Sequence, residues 1–299
     1  MDQAENLRRA MLNQNAASGG SQQDVVKRLE NARVITITSG KGGVGKSNLA
    51  VNLAICFKQL GKRVIILDAD FGLANVEVMF GCAPKYNLGH LLVGNMTMKD
   101  IVTYTKNGIG FVSGGSGIVG LNNLTKDQIA YLIRSINELN ALCDILIIDT
   151  GAGVSNTVME FVLSSPEVIL VTTPEPSSLT DSYSLMKALY KSPKFNRTGT
   201  NVHLLANKVM SEAEGQAVYD KIHSVVGKFL GGDLDYLGFI PSDQYLERSV
   251  RNQKVVSEEY PNSKSAKAFK LTAEKLINKD DSSHFKWGIT QLINSFINR

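Results

Sequence analysis

The chain has 299 residues and a net charge of +4; 43% of its residues are hydrophobic and 20% charged. That balance excludes a disordered or fibrous chain, and the charge is too small to argue for nucleic acid. No run of eighteen apolar residues and no signal peptide is present, so the reading is a cytosolic, reduced protein without a membrane span.

Residues 1–11 are strong helix formers with a thin apolar stripe at Ala4, Leu7 and Met11, and Asp2 stands where a first-turn acid helps. A helix of about ten residues is marginal alone, so it forms when docked or else frays. Residues 12–30 read as a flexible linker, and 31–278 as the main domain. Cys56, Cys82 and Cys143 sit at no metal spacing, and Cys56 and Cys143 lie within or beside apolar segments.

The domain opens on Val34, Ile35 and Ile37 between two Thr, a β-branched run suited to a buried parallel strand. Gly40, Lys41, Gly42, Gly43, Val44, Gly45, Lys46 and Ser47 then fit G-x-x-x-x-G-K-[ST]. Glycines at these positions let backbone N–H groups close on phosphates, and the helix that follows adds its positive end. Lys46 adds a charge, and Ser47 offers a hydroxyl to Mg²⁺. Nucleotide binding is the reading of strand, loop and helix together.

Further strands are expected at 63–67, 109–113, 144–148, 168–172, 202–206 and 236–240, with helices at 46–60, 125–142, 155–164, 178–191, 213–229 and 263–278. This alternation predicts an α/β fold, a doubly wound and mostly parallel sheet flanked by helices. Segment 81–108 reads as loops with one short helix near Leu88–Val93. Ligands of such sheets bind at the carboxyl ends of the strands. There the sequence places Asp68, Asp70 and Asp149, hard oxygen donors of the kind Mg²⁺ needs.

Lys41, a second lysine inside the loop, makes the motif resemble the deviant Walker A ATPases, the group of MinD, ParA and the nitrogenase iron protein. Asp68–Asn75 is similar to the switch I segment of MinD, and Ile148–Gly153 to its switch II segment, with Gly151 where proline is commoner. The resemblance runs from about residue 33 to 256. It implies ATP and Mg²⁺ as cofactors, with Lys46 on the β- and γ-phosphates and Ser47 on the metal. It further implies Asp68 and Asp149 at the metal's water shell and Asp70 orienting the attacking water. Lys41 would reach a partner's phosphates in an ATP-dependent homodimer. Asn48 completes the loop, and Asn207, Lys208, Pro241 and Asp243 resemble the adenine-recognition elements. The fold implied is that of a MinD-like P-loop NTPase.

At the carboxyl end, 279–284 reads as a short linker. In 285–299, Phe285, Ile289, Leu292, Ile293, Phe296 and Ile297 recur at helical spacing. This resembles the membrane-targeting helix of MinD and implies an anionic membrane surface as partner; a terminal helix packed on the core is the alternative. Trp287 on the polar side and Gly288 leave open a start at 288. The basic excess of residues 244–299 would assist lipid attraction, and equally keeps a ParA-type DNA-binding module in view.

At the amino end, Asp2, Gln3, Ala4, Leu7 and Arg8 sit in a segment that resembles the leader of the FlhG (FleN or YlxH) family of flagellar-number regulators. The resemblance implies stimulation of an FlhF-type signal-recognition GTPase, with Gln3 the active side chain, and contact with flagellar C-ring proteins. Peripheral association with the inner face of the cell membrane follows, and no nucleic-acid partner. An iron–sulfur carrier would need cysteines at a dimer seam, and a structural scaffold would not need Asp70 and Lys41.

Overall fold

A computed structural model describes residues 32–71, 75–94, 96–115, 124–282 and 288–297. The expectations for residues 1–31, Phe285 and Trp287 lie outside the described residues. Among the described residues, eight strands form one sheet: β1 (Arg33–Ser39), β2 (Val64–Ala69), β3 (Thr103–Tyr104), β4 (Gly110–Val112), β5 (Ile145–Ala152), β6 (Glu167–Thr172), β7 (Asn201–Val209) and β8 (Asp235–Pro241). Their order is β3-β4-β2-β5-β1-β6-β7-β8, and all pairings are parallel except β3 with β4. β1 is central, flanked by β5 and β6, so the chain reverses its winding there and leaves a crevice at the strand's carboxyl end.

The helices are α1 (Lys46–Gln59), α2 (Asn75–Phe80), α3 (Leu88–Leu92), α4 (Lys126–Ser135), α5 (Asn156–Ser164), α6 (Pro176–Lys191), α7 (Glu212–Leu230), α8 (Gln244–Arg251), α9 (Val256–Glu259), α10 (Lys264–Ser282) and α11 (Ile289–Ile297). Alternate residues of β1 show why both faces must be covered. Ile35 and Ile37 pack with α1 and α10, whereas Val34 packs in a second cluster with α4 and α11. A third cluster, under α6 and α7, covers β6 and β7.

The differences from the sequence reading have local causes. The helix expected over 125–142 begins with a Thr125–Gln128 capping box but tightens into a 3₁₀ turn at Ile136–Ala141. Segment 81–108 contains α3 and also β3, whose two residues are too short to leave a periodic signal. α10 runs on through Ser282, where a linker was expected from 279. α11 begins at Ile289 rather than at 285: the Gln291 side chain accepts from Gly288 N at 2.6 Å, a cap that defines the start.

The apolar face of α11 lies on the core. Ile289 and Leu292 are fully buried against the cluster that holds Val34, Ile148 and Phe161, while Ile293 and Phe296 are partly buried against it. Ile297 is 58% exposed. The packed terminal helix is therefore the arrangement in this structure.

Candidate nucleotide site

The site grows from the carboxyl ends of β1, β2 and β5. Thr36, Ile37 and Ser39 run in register beside Ile148, Asp149 and Ala152, and Asp68 stands opposite Asp149. Three adjacent strand tips thus bring together residues as far apart in the chain as Ile37 and Asp149.

The loop between β1 and α1 uses its glycines for two purposes. Gly43 and Gly45 adopt φ of 76° and 101°, in the left-handed region that favours glycine, and Gly45 is the N-cap of α1. Gly40 is needed for space, because a Cβ there would lie 2.1 Å from the Asp181 backbone of α6. Lys46 opens α1 and is buried; that burial lowers its pKa, with Asp149 and Asp70 opposing the shift. Ser47 and Asn48 follow it, half-buried, in the first turn.

The acids divide by environment. Asp68 accepts from the backbone N–H of Asp70 and of Val76, each at 3.2 Å. Burial, then the neighbouring Asp149, nevertheless holds its pKa well above the ordinary carboxyl range. Asp149 is fully buried, and neither carboxyl oxygen has a hydrogen-bond partner at good geometry. Burial raises its pKa to about 6, opposed by the Ser47 hydroxyl and by Lys46. Asp70 is half-buried and accepts from Asn75 Nδ2 at 3.4 Å.

An orphaned, buried carboxylate beside a helix-opening Ser hydroxyl suits Mg²⁺, which keeps much of its water shell and binds through few carboxylates plus phosphates. Among the described residues there is no group of three or more His, Cys, Asp or Glu that could hold a metal ion. Ser47 and Asp149 would hold the ion directly or through water. When bound with ATP, it supplies charge neutralisation at the phosphates.

The four residues carried over by resemblance as adenine-recognition elements lie at or just beyond the carboxyl ends of β7 and β8. Asn207 Nδ2 donates to Val44 O at 2.7 Å, and Lys208 Nζ donates to Gly43 O at 2.8 Å. Both side chains therefore grip the phosphate loop, and Lys208 holds a φ of 56° there. Asp243 caps α8 by accepting from Tyr245 N and also accepts from Ser265 N and Oγ at the start of α10. Burial pushes its pKa up, but the bonds from Ser265 and Tyr245 outweigh it and hold it low. Pro241 pairs with Val209 at the end of β8, half-buried.

Lys41 folds back within its own chain. Its Nζ lies 2.7 Å from Glu175 Oε2 and donates to Ser177 Oγ at 2.7 Å. Glu175 and Ser177 were not singled out from the sequence; the available signal was an acid immediately before Pro176 at a helix start. Asn207→Ala is expected to weaken ATP-analogue binding about tenfold by freeing the Val44 carbonyl, and to speed hydrogen exchange at residues 43–46. Titration calorimetry with exchange mass spectrometry reads both.

Strand, glycine loop, buried helix-opening lysine and strand-tip acids define a P-loop NTPase. The ParA family profile, described as NUBPL iron-transfer P-loop NTPase, matches residues 30–277. The chain belongs to this family of P-loop ATPases. It is 39% identical to the antiactivator FleN of Pseudomonas aeruginosa, over 82% of this chain and 86% of that protein. It is 34% identical to the flagellum site-determining protein YlxH of Helicobacter pylori, over 83% of each. The septum site-determining protein MinD of Pyrococcus horikoshii, solved with Mg-ADP, superposes with a TM-score of 0.68 at 26% identity. That match covers 82% of this chain and 96% of the other. Cys56 and Cys143 are buried on opposite faces of the sheet, with burial raising their thiols to about 11 and about 12.

Proposed function

We propose that this ATPase regulates flagellar number and placement, acting as an ATP-dependent dimer that binds membrane through α11. Residues 1–11 stimulate an FlhF-type GTPase, and flagellar C-ring proteins are further partners. The observation that carries the flagellar reading is the match to FleN and YlxH over more than four-fifths of the chain.

In this reading Lys46 holds the β- and γ-phosphates, Asp70 orients the attacking water, and Lys41 leaves Glu175 to reach the partner's nucleotide. A cation supplied in trans is worth roughly 10³–10⁵ in rate in related phosphoryl transfer. Lys41→Ala is expected to lose both dimerisation and turnover. Asp70→Ala is expected to dimerise with ATP yet hydrolyse about a hundredfold more slowly. Sizing by light scattering and phosphate release separate the two, and normal turnover in Asp70→Ala would remove its assigned role.

Membrane contact requires α11 to leave the core, because its apolar face is covered there. Two helices on one dimer gain avidity of about 10²–10⁴ over one, enough for ATP to act as the switch. Vesicle sedimentation of the full chain with ATP and with ADP tests this; equal binding in both states would end the membrane reading. For the leader, a GTPase assay with Gln3→Ala and Glu5→Ala chains is the test, with stimulation lost only in the first.

A DNA-binding partition ATPase is the second reading, favoured by the exposed Lys264, Lys267 and Lys270 of α10. Salt-dependent retention of the ATP form on DNA, without vesicle binding, would select it.

A further inference from the structure

The end of β1 remote from the nucleotide loop is tied by one residue. Arg33 forks onto Glu167 at the start of β6, with Nε to Oε2 at 2.8 Å and Nη2 to Oε1 at 2.9 Å. Its Nη1 donates to the Leu276 carbonyl of α10 at 2.8 Å. Both side chains of the pair are largely buried, at 17% and 10% exposure. Glu167 also meets His203 Nε2 of β7 at 3.1 Å. Burial pushes the Glu167 carboxyl up, yet His203 and Arg33 outweigh it and hold it at about 2.

The backbone of the same residue receives the tail. Arg33 and Gly288 form an antiparallel bridge, and Ile289 N donates to Ala32 O at 3.0 Å. Ala32 is buried in the cluster that takes Ile289 and Leu292, and its N–H donates to Asn140 Oδ1 at 3.0 Å. Thus the first turn of α11 is bonded to the two residues that the Arg33–Glu167 fork holds in place. A nine-residue helix is marginal in isolation, so its order depends on this seat.

We infer that the Arg33–Glu167 pair is the latch that keeps α11 docked, acting as a positioning pair for the tail at the opposite end of β1 from the ATP site. A bidentate, charge-assisted fork fixes the strand entry in both direction and register, which a single hydrogen bond does not. Loss of the fork frees the ends of β1 and α10 together. The bridge to Gly288 and the Ala32–Ile289 bond go with them, leaving α11 held by the burial of Ile289 and Leu292 and the partial burial of Ile293 and Phe296. The lipid output of this latch rests on the membrane reading above; the docking itself does not.

The test uses the full chain with ADP, comparing wild type, Arg33→Gln, Glu167→Gln and Arg33→Lys. Arg33→Lys keeps the charge but cannot fork. Hydrogen exchange at residues 289–297 is expected to rise at least tenfold in Arg33→Gln and Glu167→Gln, and less in Arg33→Lys. Exchange in α1 and affinity for ADP should stay at wild-type values. Pelleting with phosphatidylglycerol–phosphatidylethanolamine vesicles should rise in ADP toward the wild-type ATP level.

Unchanged protection of 289–297 would overturn the latch, as would a rise spread evenly over the sheet with a fall in melting temperature. If Arg33→Gln does not fold, the same comparison is read from Arg33→Lys. A freed tail in the variants, with no vesicle binding by any form including wild type in ATP, keeps the latch and removes the membrane reading.

Discussion

Gly40→Ala is expected to lose ATP binding by at least a hundredfold and to lower the melting temperature by about 5 °C. The new Cβ would sit 2.1 Å from both the carbonyl carbon and the carbonyl oxygen of Asp181 and 2.6 Å from the amide of Ser182. These are backbone atoms in the middle of α6, so no rotamer change relieves the clash. Either the loop or the helix must shift. Overpacking of this kind costs about 3 kcal/mol, which for a chain of this size is roughly 5 °C. A shift of α6 also moves Glu175 and Ser177, the two groups that hold Lys41. Gly42→Ala is the control: nothing lies within 4 Å of its Cβ and its φ is not positive. Thermal melts and analogue titration on the two variants should diverge sharply. A Gly40→Ala protein that melted like Gly42→Ala would show that α6 does not bear on the loop.

Asp149→Asn is expected to stabilise the nucleotide-free protein at pH 7–8 while cutting Mg²⁺-dependent ATP turnover at least a hundredfold. Burial raises the folded-state pKa from an ordinary 3.8 to about 6. The folded chain therefore binds this proton more tightly than the unfolded chain does. Its stability contribution is fully present below about pH 4 and is lost as pH rises through 6. A shift of this size corresponds to a few kcal/mol. The amide removes that loss, so the stability curve between pH 4 and 7 should flatten. Asp68, raised in the same direction, leaves a residual slope. Mg-ATP should narrow the gap between the two proteins, because only the wild type has the charge for the cation to balance. Denaturant melts across pH 4–8, with and without Mg-ATP, read all of this, and parallel curves for the two proteins would place the titration elsewhere.

The catalytic half of the molecule was legible because it is local. The glycine pattern at 40–47 dictates a loop, the β-branched run before it dictates a strand, and the acids at 68 and 149 end apolar runs. What escaped is contact between distant segments. Nothing in the spacing shows that Asn207 and Lys208 bond the carbonyls of Val44 and Gly43, since those pairs are joined only when β7 comes to lie two strands from β1. Arg33 and Glu167 read as polar flanks of two apolar strands, and only strand order makes them neighbours. For the tail, the same apolar stripe fits a core and a lipid surface equally well. Periodicity measures one face and says nothing of what covers it.

The hydrogen bond from Ile289 to Ala32 ties the first turn of α11 to the entry of β1. That bond lasts only while α11 is docked, since release takes the helix off the core. Release returns the Ile289 N–H and the Ala32 carbonyl to water, which satisfies both, but it also bares Ile289 and Leu292, which water does not satisfy. The polar half of the seat is therefore cheap to undo and the apolar half is not, so the tail comes away readily only where a second apolar surface is waiting to take it.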